Sequence, residues 1–443
     1  MIKATRTLAA FFAFCGLAAA AAAGGAGPEP GTWLDPASGP QAAGLLPEEF
    51  LGRYERGEWK HEVVAPKPGV LLVDPEWIAA SQENAGKFTL NEKGSIRRVE
   101  DGEEPEFIYG APFPVVDAND PQAATKLIWN YFYGYWANNG DNLTSVALTW
   151  ISHSGVDREA VNTVYQRFWD GQKPHRRPSE NPMNILFQQF VTTDSPTDLQ
   201  GINTLTWRYR DQRRDSTWSY VPALRRVRQV TPSNRADGFL GSDMSQDDGG
   251  YFDAKPEDFE WKLIGEGEQL FLFDRAATVD NAENLKPLPD GGWRSVYAEG
   301  PRFNYQKSDF DPGKELAWAP VSDRSVLIKR PVWIIEGRPK DRYYLYGKIV
   351  LRLDKENFTG FGSYSSKYDW QGNLLNSYLS GSRGSWHKKG DDYLSYSAGV
   401  FTMAQNWKLD RATTSRPLDG KPSDTFIQFD DRQFEIDRLA RGK

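Results

Sequence analysis

The sequence has very few residues of the types that form disulfides or bind transition metals. Its 443 residues include one Cys and four His, and His61, His153, His175 and His387 stand far apart. A cysteine-based zinc site, an iron–sulfur cluster and a disulfide framework each need several such residues together. The composition therefore excludes these three kinds of site, and we expect no cofactor and no bound metal.

The sequence also lacks a basic surplus and the common catalytic motifs. Lys and Arg number 53 against 60 Asp and Glu, which gives a formal net charge of -7. A protein that binds nucleic acid over its surface needs an excess of cations to meet the phosphates. There is no H-E-x-x-H, G-x-S-x-G or P-loop motif. We therefore expect no nucleic-acid partner and predict no catalytic residue.

The one long apolar run lies at the N-terminus. Lys3 and Arg6 precede apolar residues 8–17, which an alanine-rich stretch follows. This pattern is typical of a cleavable secretory signal, and the run is shorter than the ~20 residues that span a bilayer. The sequence therefore predicts a signal peptide over 1–23 and a periplasmic mature protein, with a retained anchor as the alternative. Lipidation at Cys15 is not expected, because the bulky Phe14 precedes it.

After the predicted signal peptide, the composition gives only weak indications of domain boundaries. Residues 24–50 are rich in Gly, Pro and Ala and predict a flexible tether. No linker or internal repeat divides the rest of the chain. We predict an N-terminal extension over 51–120 that packs on the main domain, a main domain over 121–430, and a C-terminal tail over 431–443.

The strongest helical pattern follows residue 120. Apolar residues recur there at helical spacing until Asn138, Asn139 and Gly140 end the pattern. The pattern predicts an amphipathic helix over 121–137 whose aromatic face covers an apolar surface. The residues of this face are Leu127, Ile128, Tyr131, Phe132, Tyr135 and Trp136. A weaker pattern predicts a second helix over 157–169.

From about residue 200 the apolar period becomes two, which indicates strands. In 204–210, Leu205, Trp207 and Tyr209 share one face, and Thr and Arg residues occupy the other. Because no long crossover helices separate the strands, we expect a mainly antiparallel sheet with one packed and one wet face. A turn at 371–373 predicts a hairpin. Further strands are predicted at 218–221, 261–265, 270–274, 332–336, 345–353, 362–370, 374–380 and 401–409.

Large aromatic side chains on the packed face need cover. Trp207, Trp218, Trp261 and Trp333 can be shielded by curling of the sheet, by the helix, or by an enclosed ligand. Ordinary core packing is the usual explanation for any one Trp. The sequence has many wide aromatic residues and only four Met, which favours a cavity. We therefore identify the four Trp residues as candidate ligand contacts.

Two charged segments are further candidates. Arg226 and Arg228 share a face of an extended segment after Pro222, where paired guanidinium groups could bind a carboxylate or phosphate head group. Pairing with Glu260 or Glu336 on a neighbouring strand is the alternative, and the more usual role of such residues. The acidic segment 243–250 offers oxygen ligands for calcium but lacks the EF-hand alternation, so we expect a mobile, solvated loop.

Several segments occur in an order that resembles a known family. They are GAPFP at 110–114 with Asp120-Pro121 and Trp129-Asn130, WSYVPALRRVR at 218–228, DFEWKLIG at 258–265, RPVW at 330–333 with Glu336, and YDWQG at 368–372. Over about residues 80–415 the set resembles the bacterial family catalogued as domain of unknown function 1329, commonly labelled outer-membrane lipoprotein-sorting protein.

The resemblance implies a fold and a role. The fold is similar to that of the lipoprotein carriers LolA and LolB: mainly β (α+β), with a strongly curved antiparallel sheet, roughly half a barrel, covered by helices. The implied role is a periplasmic, non-catalytic carrier that holds a hydrophobic molecule or lipid and works with a resistance-nodulation-division type transporter or an outer-membrane protein. The alternatives are a secreted carbohydrate-active enzyme with a carboxylate pair, and an envelope scaffold without ligand.

Overall fold

A computed structural model describes residues 27–65, 74–177, 180–278, 284–296, 303–306, 314–382, 385–389, 392–396 and 400–441. The predicted signal peptide over 1–23 lies outside these residues. The helices are α1 (Glu48–Glu55), α2 (Pro75–Glu83), α3 (Ala123–Asn139), α4 (Arg275–Thr278) and α5 (Arg438–Arg441). Within the described ranges, no helix combines the length and apolar character needed to cross a membrane.

Strands are the main regular structure of the fold. They are β1 (Trp33–Leu34), β2 (His61–Val63), β3 (Phe88–Leu90), β4 (Ile96–Arg98), β5 (Asn142–Ser152), β6 (Gly155–Phe168), β7 (Ile185–Ser195), β8 (Asn203–Tyr209), β9 (Ser216–Val221), β10 (Arg226–Val230), β11 (Phe259–Asp274), β12 (Leu285–Pro287), β13 (Trp293–Ser295), β14 (Ser325–Pro339), β15 (Lys348–Asp354), β16 (Tyr364–Tyr368), β17 (Leu374–Ser382), β18 (Ser385–Lys389), β19 (Asp392–Tyr396), β20 (Val400–Asn406), β21 (Arg411–Pro417) and β22 (Ser423–Thr425). Short 3-10 helices lie at Gly39–Ala42, Pro174–Arg176, Pro222–Leu224, Pro232–Ala236, Phe239–Gly241, Gln246–Asp248, Pro256–Asp258 and Asp431–Phe434.

The main sheet joins an N-terminal meander to the C-terminal strands. Strands β5 to β10 pair with their chain neighbours, all antiparallel. Strand β5 also pairs with β21, and the sheet continues through β20, β17, β16, β15, β14 and β11, again antiparallel. The predicted hairpin around 371–373 is confirmed as β16 and β17. The predicted mainly β fold with a large, curved antiparallel sheet is therefore confirmed.

The predicted helix over 121–137 is confirmed as α3, but it is not amphipathic. Residues 127–134 are all buried, and eight consecutive residues cover every side of a helix. Its aromatic rings pack against residues of the sheet and of a long loop, as in the edge-to-face contact of Tyr131 with Tyr251 at 6.0 Å. The helix therefore forms the centre of the main core.

The helix predicted over 157–169 is wrong, because residues 157–168 lie in strand β6. This strand pairs with β5 up to Gln166 and with β7 from Val161 to Phe168. Its β-branched residues, including Val161, Thr163 and Val164, suit a strand. Hydrogen bonding to a strand on each side stabilises the extended conformation more than the weak helical pattern of the sequence favours a helix.

The segment predicted as a flexible tether packs against the sheet over its described part, 27–50. Leu34, Ala42, Leu46 and Phe50 are buried in one cluster with residues of β11 and β17. The few apolar residues of this Gly- and Pro-rich segment anchor it to the sheet. The residues that they pack against lie far away in the chain, so the local composition does not reveal the packing. The boundaries that we predict at residues 120 and 430 stay predictions.

The expected wet face of 204–210 is buried as well. Thr204, Thr206 and Arg208 point to the side of the sheet that carries α3, which we call the inner face. On the outer side, Leu205 packs with Phe434 and Leu439 from the C-terminal segment. Strand β8 is therefore covered on both sides.

Candidate functional site

A cavity of about 230 Å³ lies between the inner face of the sheet and the elements that cover it, and it is partly open to solvent. Alternate residues of β5 to β8 form its floor, since alternate side chains of a strand share one face. They are Asn142, Thr144, Val146 and Leu148 of β5, Asn162, Val164 and Gln166 of β6, Gln189 and Val191 of β7, and Thr204 of β8. Thr402, Ser415 and Pro417 extend the floor onto β20 and β21.

Strand register arranges these floor residues in rows. Gln189, Gln166 and Asn142 are successive cross-strand partners, which gives a row of three amides. The next row contains Val191 and Val164, which are also direct partners. The floor thus places an apolar strip beside a strip of neutral hydrogen-bonding groups.

Aromatic and apolar side chains form much of the roof. Tyr135 of α3 and Phe361 contribute rings, and residues 239–250 contribute Phe239 and Met244, while Tyr378 of β17 adds a ring from the sheet itself. The Tyr135 hydroxyl donates a hydrogen bond to Gln166 Oε1 at 3.0 Å. This bond links the central helix directly to the amide row of the floor.

We call residues 235–253 the cover segment, and buried ion pairs link its two ends. Arg235 Nε lies 2.7 Å from Asp247 Oδ1, and Arg235 Nη2 lies 3.1 Å from Asp253 Oδ2. The Tyr344 hydroxyl donates to Asp247 Oδ2 at 2.6 Å. These groups are buried, so the ion pairs fix the conformation of the cover segment, and the Tyr344 hydrogen bond ties it to a residue outside the segment.

A second arginine ties the cover segment to the sheet. Arg208 of β8 donates to Asp215 Oδ2 at 2.7 Å and to Asp253 Oδ1 at 3.1 Å. Burial alone raises the pKa of Asp215, but Arg208 and Arg235 outweigh it and the pKa is lowered. Burial raises the pKa of Asp253 against the same two cations. The network is densely paired and serves to position the cover segment.

The acidic segment 243–250 is not the mobile, solvated loop that we expected. Asp243, Asp247 and Asp248 are all buried. The Ser245 hydroxyl donates to Asp248 Oδ2 at 2.9 Å, and Lys367 forms an ion pair with Asp248. The cationic partners of Asp243 and Asp248 are Arg411 and Lys367, which lie far away in the chain, so the local sequence shows only an acidic run.

Two of the predicted contact residues lie outside the cavity in an aromatic cluster. The rings of Trp207 and Trp218 meet edge to face at 5.1 Å. Trp207 Nε1 donates to the Phe434 carbonyl oxygen at 3.0 Å. Trp261 is buried in the main core, where it stacks on Phe259 at 5.1 Å.

The other predicted residues are also separate from the cavity lining. The Lys355 ammonium lies 3.9 Å from the ring centre of Trp333. Arg226 and Arg228 are exposed on β10, where they pair with Val221 and Ser219 through the backbone. Neither forms a salt bridge within the described residues. Glu336, one of the two alternative partners, pairs with Arg338. None of the six predicted residues lines the cavity, and their contact with a ligand stays a prediction.

Sequence reasoning missed the small and polar residues that do line the cavity. In β5, alternation places Asn142, Thr144 and Val146 on one face. This strand pattern lies on the N-terminal side of residue 200, where our predicted strands begin. What could not be read is that β5 to β8 align these residues under one roof. That alignment depends on the register of the pairs.

The fold and the site together define a mainly β protein whose curved sheet holds a partly open internal cavity. The family model described as "Protein of unknown function (DUF1329)" matches residues 60–402, and the chain belongs to this family. A comparison with curated protein sequences finds no match.

Three solved structures are similar to the chain, each covering 71% of it. A domain described as an outer membrane lipoprotein-sorting protein, from Vibrio parahaemolyticus, is 15% identical with a TM-score of 0.45 and is covered over 97% of its length. A DUF1329 family protein from Desulfovibrio piger is 14% identical with a TM-score of 0.43 and is covered over 98%. A LolA superfamily protein from Nitrosomonas europaea is 12% identical with a TM-score of 0.39 and is also covered over 98%.

Proposed function

We propose that this protein is a non-catalytic carrier that holds an apolar molecule in the cavity under the cover segment. The observation that carries the proposal is the partial exposure of three valines, Val146, Val164 and Val191, inside the cavity. These valines face the cavity, remain only partly buried, and belong to none of the hydrophobic clusters among the described residues. A ligand that removed them from water would gain about 25 cal/mol per Å² of apolar area.

The cavity volume limits what the closed form accommodates. At about 230 Å³ it exceeds the ~150 Å³ apolar cavity that binds benzene, but it falls below the ~300 Å³ at which drug-sized sites begin. A whole lipid therefore needs the cover segment to shift, with the bound form stabilised by the ligand itself. We propose that this shift accompanies loading and release in the periplasm, at a transporter of the resistance-nodulation-division class or an outer-membrane protein.

The two alternative functions find less support in the site. A glycosidase needs two carboxyl groups facing the substrate. Among the residues that line this cavity, Asp248 is the one carboxylate, and Lys367 pairs with it. A scaffold without ligand would be expected to fill its interior, whereas here a row of valines borders a void.

The first test reduces the void. Val164→Trp occupies part of the cavity from its floor, and Val156→Trp places the same residue at an exposed position of the same strand. The probe is N-phenyl-1-naphthylamine, a neutral dye that fluoresces in apolar sites. We expect Val164→Trp to weaken dye binding by about tenfold or more, and Val156→Trp to leave it unchanged.

A second measurement asks what the native protein carries. Protein purified from its own envelope is extracted with organic solvent, and the extract is analysed by mass spectrometry. A carrier is expected to yield a lipid in stoichiometric amount. Equal dye binding by both tryptophan variants, together with an extract free of lipid, would overturn the proposed function.

A further inference from the structure

The lining of the cavity contains almost no charge. Its residues include no Lys, Arg or His, and Asp248 is its one carboxylate. Lys367 forms an ion pair with Asp248, and the ammonium lies 5.5 Å from the ring centre of Tyr378. The Lys367 ammonium is therefore already paired with Asp248, and Lys367 is not itself a lining residue. An anionic group that entered the cavity would meet the Asp248 carboxylate and find no cation among the lining residues.

The lining does contain an unsatisfied neutral acceptor. Gln246 lies in the cover segment and lines the cavity, and its Oε1 is buried without a hydrogen-bond partner in the described part of the chain. A buried carbonyl oxygen without a donor costs free energy, because it has lost its hydrogen bonds to water and gained none in return. A ligand that donates one hydrogen bond to this oxygen would recover that free energy.

The floor supplies further neutral groups. Gln189, Gln166 and Asn142 form the amide row, and Thr144 and Thr204 flank the two valines of the next row. Amides and hydroxyls both donate and accept hydrogen bonds without carrying charge. The site thus offers a hydrogen-bonding strip beside an apolar strip, within a single cavity.

We infer that the cargo is a neutral amphiphile, an apolar molecule with a hydroxyl or amide donor, and not a fatty acid or a phospholipid head group. This inference rests on the proposed function and names the class of molecule that the same cavity takes. Burial of an ionised carboxylate or phosphate without a counter-ion is far more costly than burial of a hydroxyl with a partner. The donor of the ligand is directed to Gln246 Oε1.

The test compares three ligands with the same chain and different charge: dodecanol, dodecanoate and dodecylammonium. Each displaces N-phenyl-1-naphthylamine from the full mature protein at about pH 8, where the acid is ionised and the amine still protonated. We expect dodecanol to bind at least about tenfold more tightly than either ion. Dodecanoate or dodecylammonium binding as tightly as dodecanol would overturn the inference and leave the carrier function standing. If neither the dye nor any of the three ligands binds, the proposed function itself fails.

A matched pair of variants assigns the selectivity to Gln246. Gln246→Leu removes the acceptor, and Gln82→Leu makes the same change at an exposed position of α2. We expect Gln246→Leu to lower the dodecanol affinity by about three- to tenfold with dye binding retained. Gln246→Lys adds a cation at the same place and is expected to raise dodecanoate affinity. An unchanged ratio of dodecanol to dodecanoate in both Gln246 variants would contradict the assignment.

Discussion

Trp261 of β11 lies across the backbone of Gly337, its cross-strand partner on β14. A β-carbon at position 337 would overlap the six-membered ring of the indole. Trp261 also stacks on Phe259, and its Nε1 donates to the Pro256 carbonyl oxygen at 2.8 Å. The glycine therefore provides the space that lets a wide side chain lie flat inside the core.

Gly337→Ala is expected to destabilise the fold. The added methyl group must displace Trp261 or shift β14, and such overpacking costs about 1–3 kcal/mol. The free energy of unfolding, measured by urea titration, is expected to fall by that amount. Gly267→Ala on β11 is the control, because no atom lies within 4 Å of a β-carbon placed there. The control is expected to be neutral or to stabilise by about 0.5–1 kcal/mol. Equal losses in both variants would contradict the packing role of Gly337.

The elements that the sequence predicts correctly are those with a strong local period. Helix α3 and the hairpin of β16 and β17 carry their own signals, in aromatic spacing and in a turn around Gly372. Strand β6 and segment 27–50 carry weak local signals, because partners from distant strands determine their structure. Local patterns predict such segments poorly, since tertiary contacts override them.

The candidate site shows why the largest residues were a poor guide to the cavity. Trp207, Trp218 and Trp261 fill the space around them, so they lie in clusters and leave no void. A cavity remains where side chains are too short to meet, as with Val164 and Val191 on the floor. Sequence can indicate that residues are apolar, but the gap between two surfaces depends on strand register and curvature.

Arg208 is expected to be critical for the stability of the cover segment. Arg208→Met leaves Asp215 and Asp253 with fewer cationic partners in a buried site. Removal of one partner of a buried ion pair costs about 3–5 kcal/mol. We expect a loss of that order in the free energy of unfolding, measured by urea titration.

Arg213→Met is the matched control for this prediction. Arg213 is exposed and pairs with Asp211 at 2.7 Å, and such surface pairs contribute about 0–1 kcal/mol. A loss in Arg208→Met no larger than that in Arg213→Met would show that the buried network does not hold the cover segment in place.

Asp141, between α3 and β5, is expected to make stability depend on pH. It is buried and accepts hydrogen bonds from the Phe168 backbone N–H at 2.9 Å and from Gln172 Nε2 at 3.2 Å. Burial raises its pKa from the ordinary value of 3.8 to about 7, against these bonds and the nearby Arg167. Between these two pH values the folded protein holds the proton that the unfolded chain releases. The contribution of Asp141 to stability therefore falls as pH rises from about 4 to about 7.

Asp141→Asn removes this titration and keeps an oxygen that accepts the Phe168 N–H bond. The free energy of unfolding of both proteins is measured by urea titration at several pH values across this window. We expect the free energy of unfolding of the variant to rise relative to that of the native protein as pH rises, by on the order of 1–3 kcal/mol. One pKa unit corresponds to about 1.4 kcal/mol. Other titrating groups are common to both proteins and cancel in the difference. A difference that stays constant with pH would mean that Asp141 ionises at the same pH in the folded and unfolded chains.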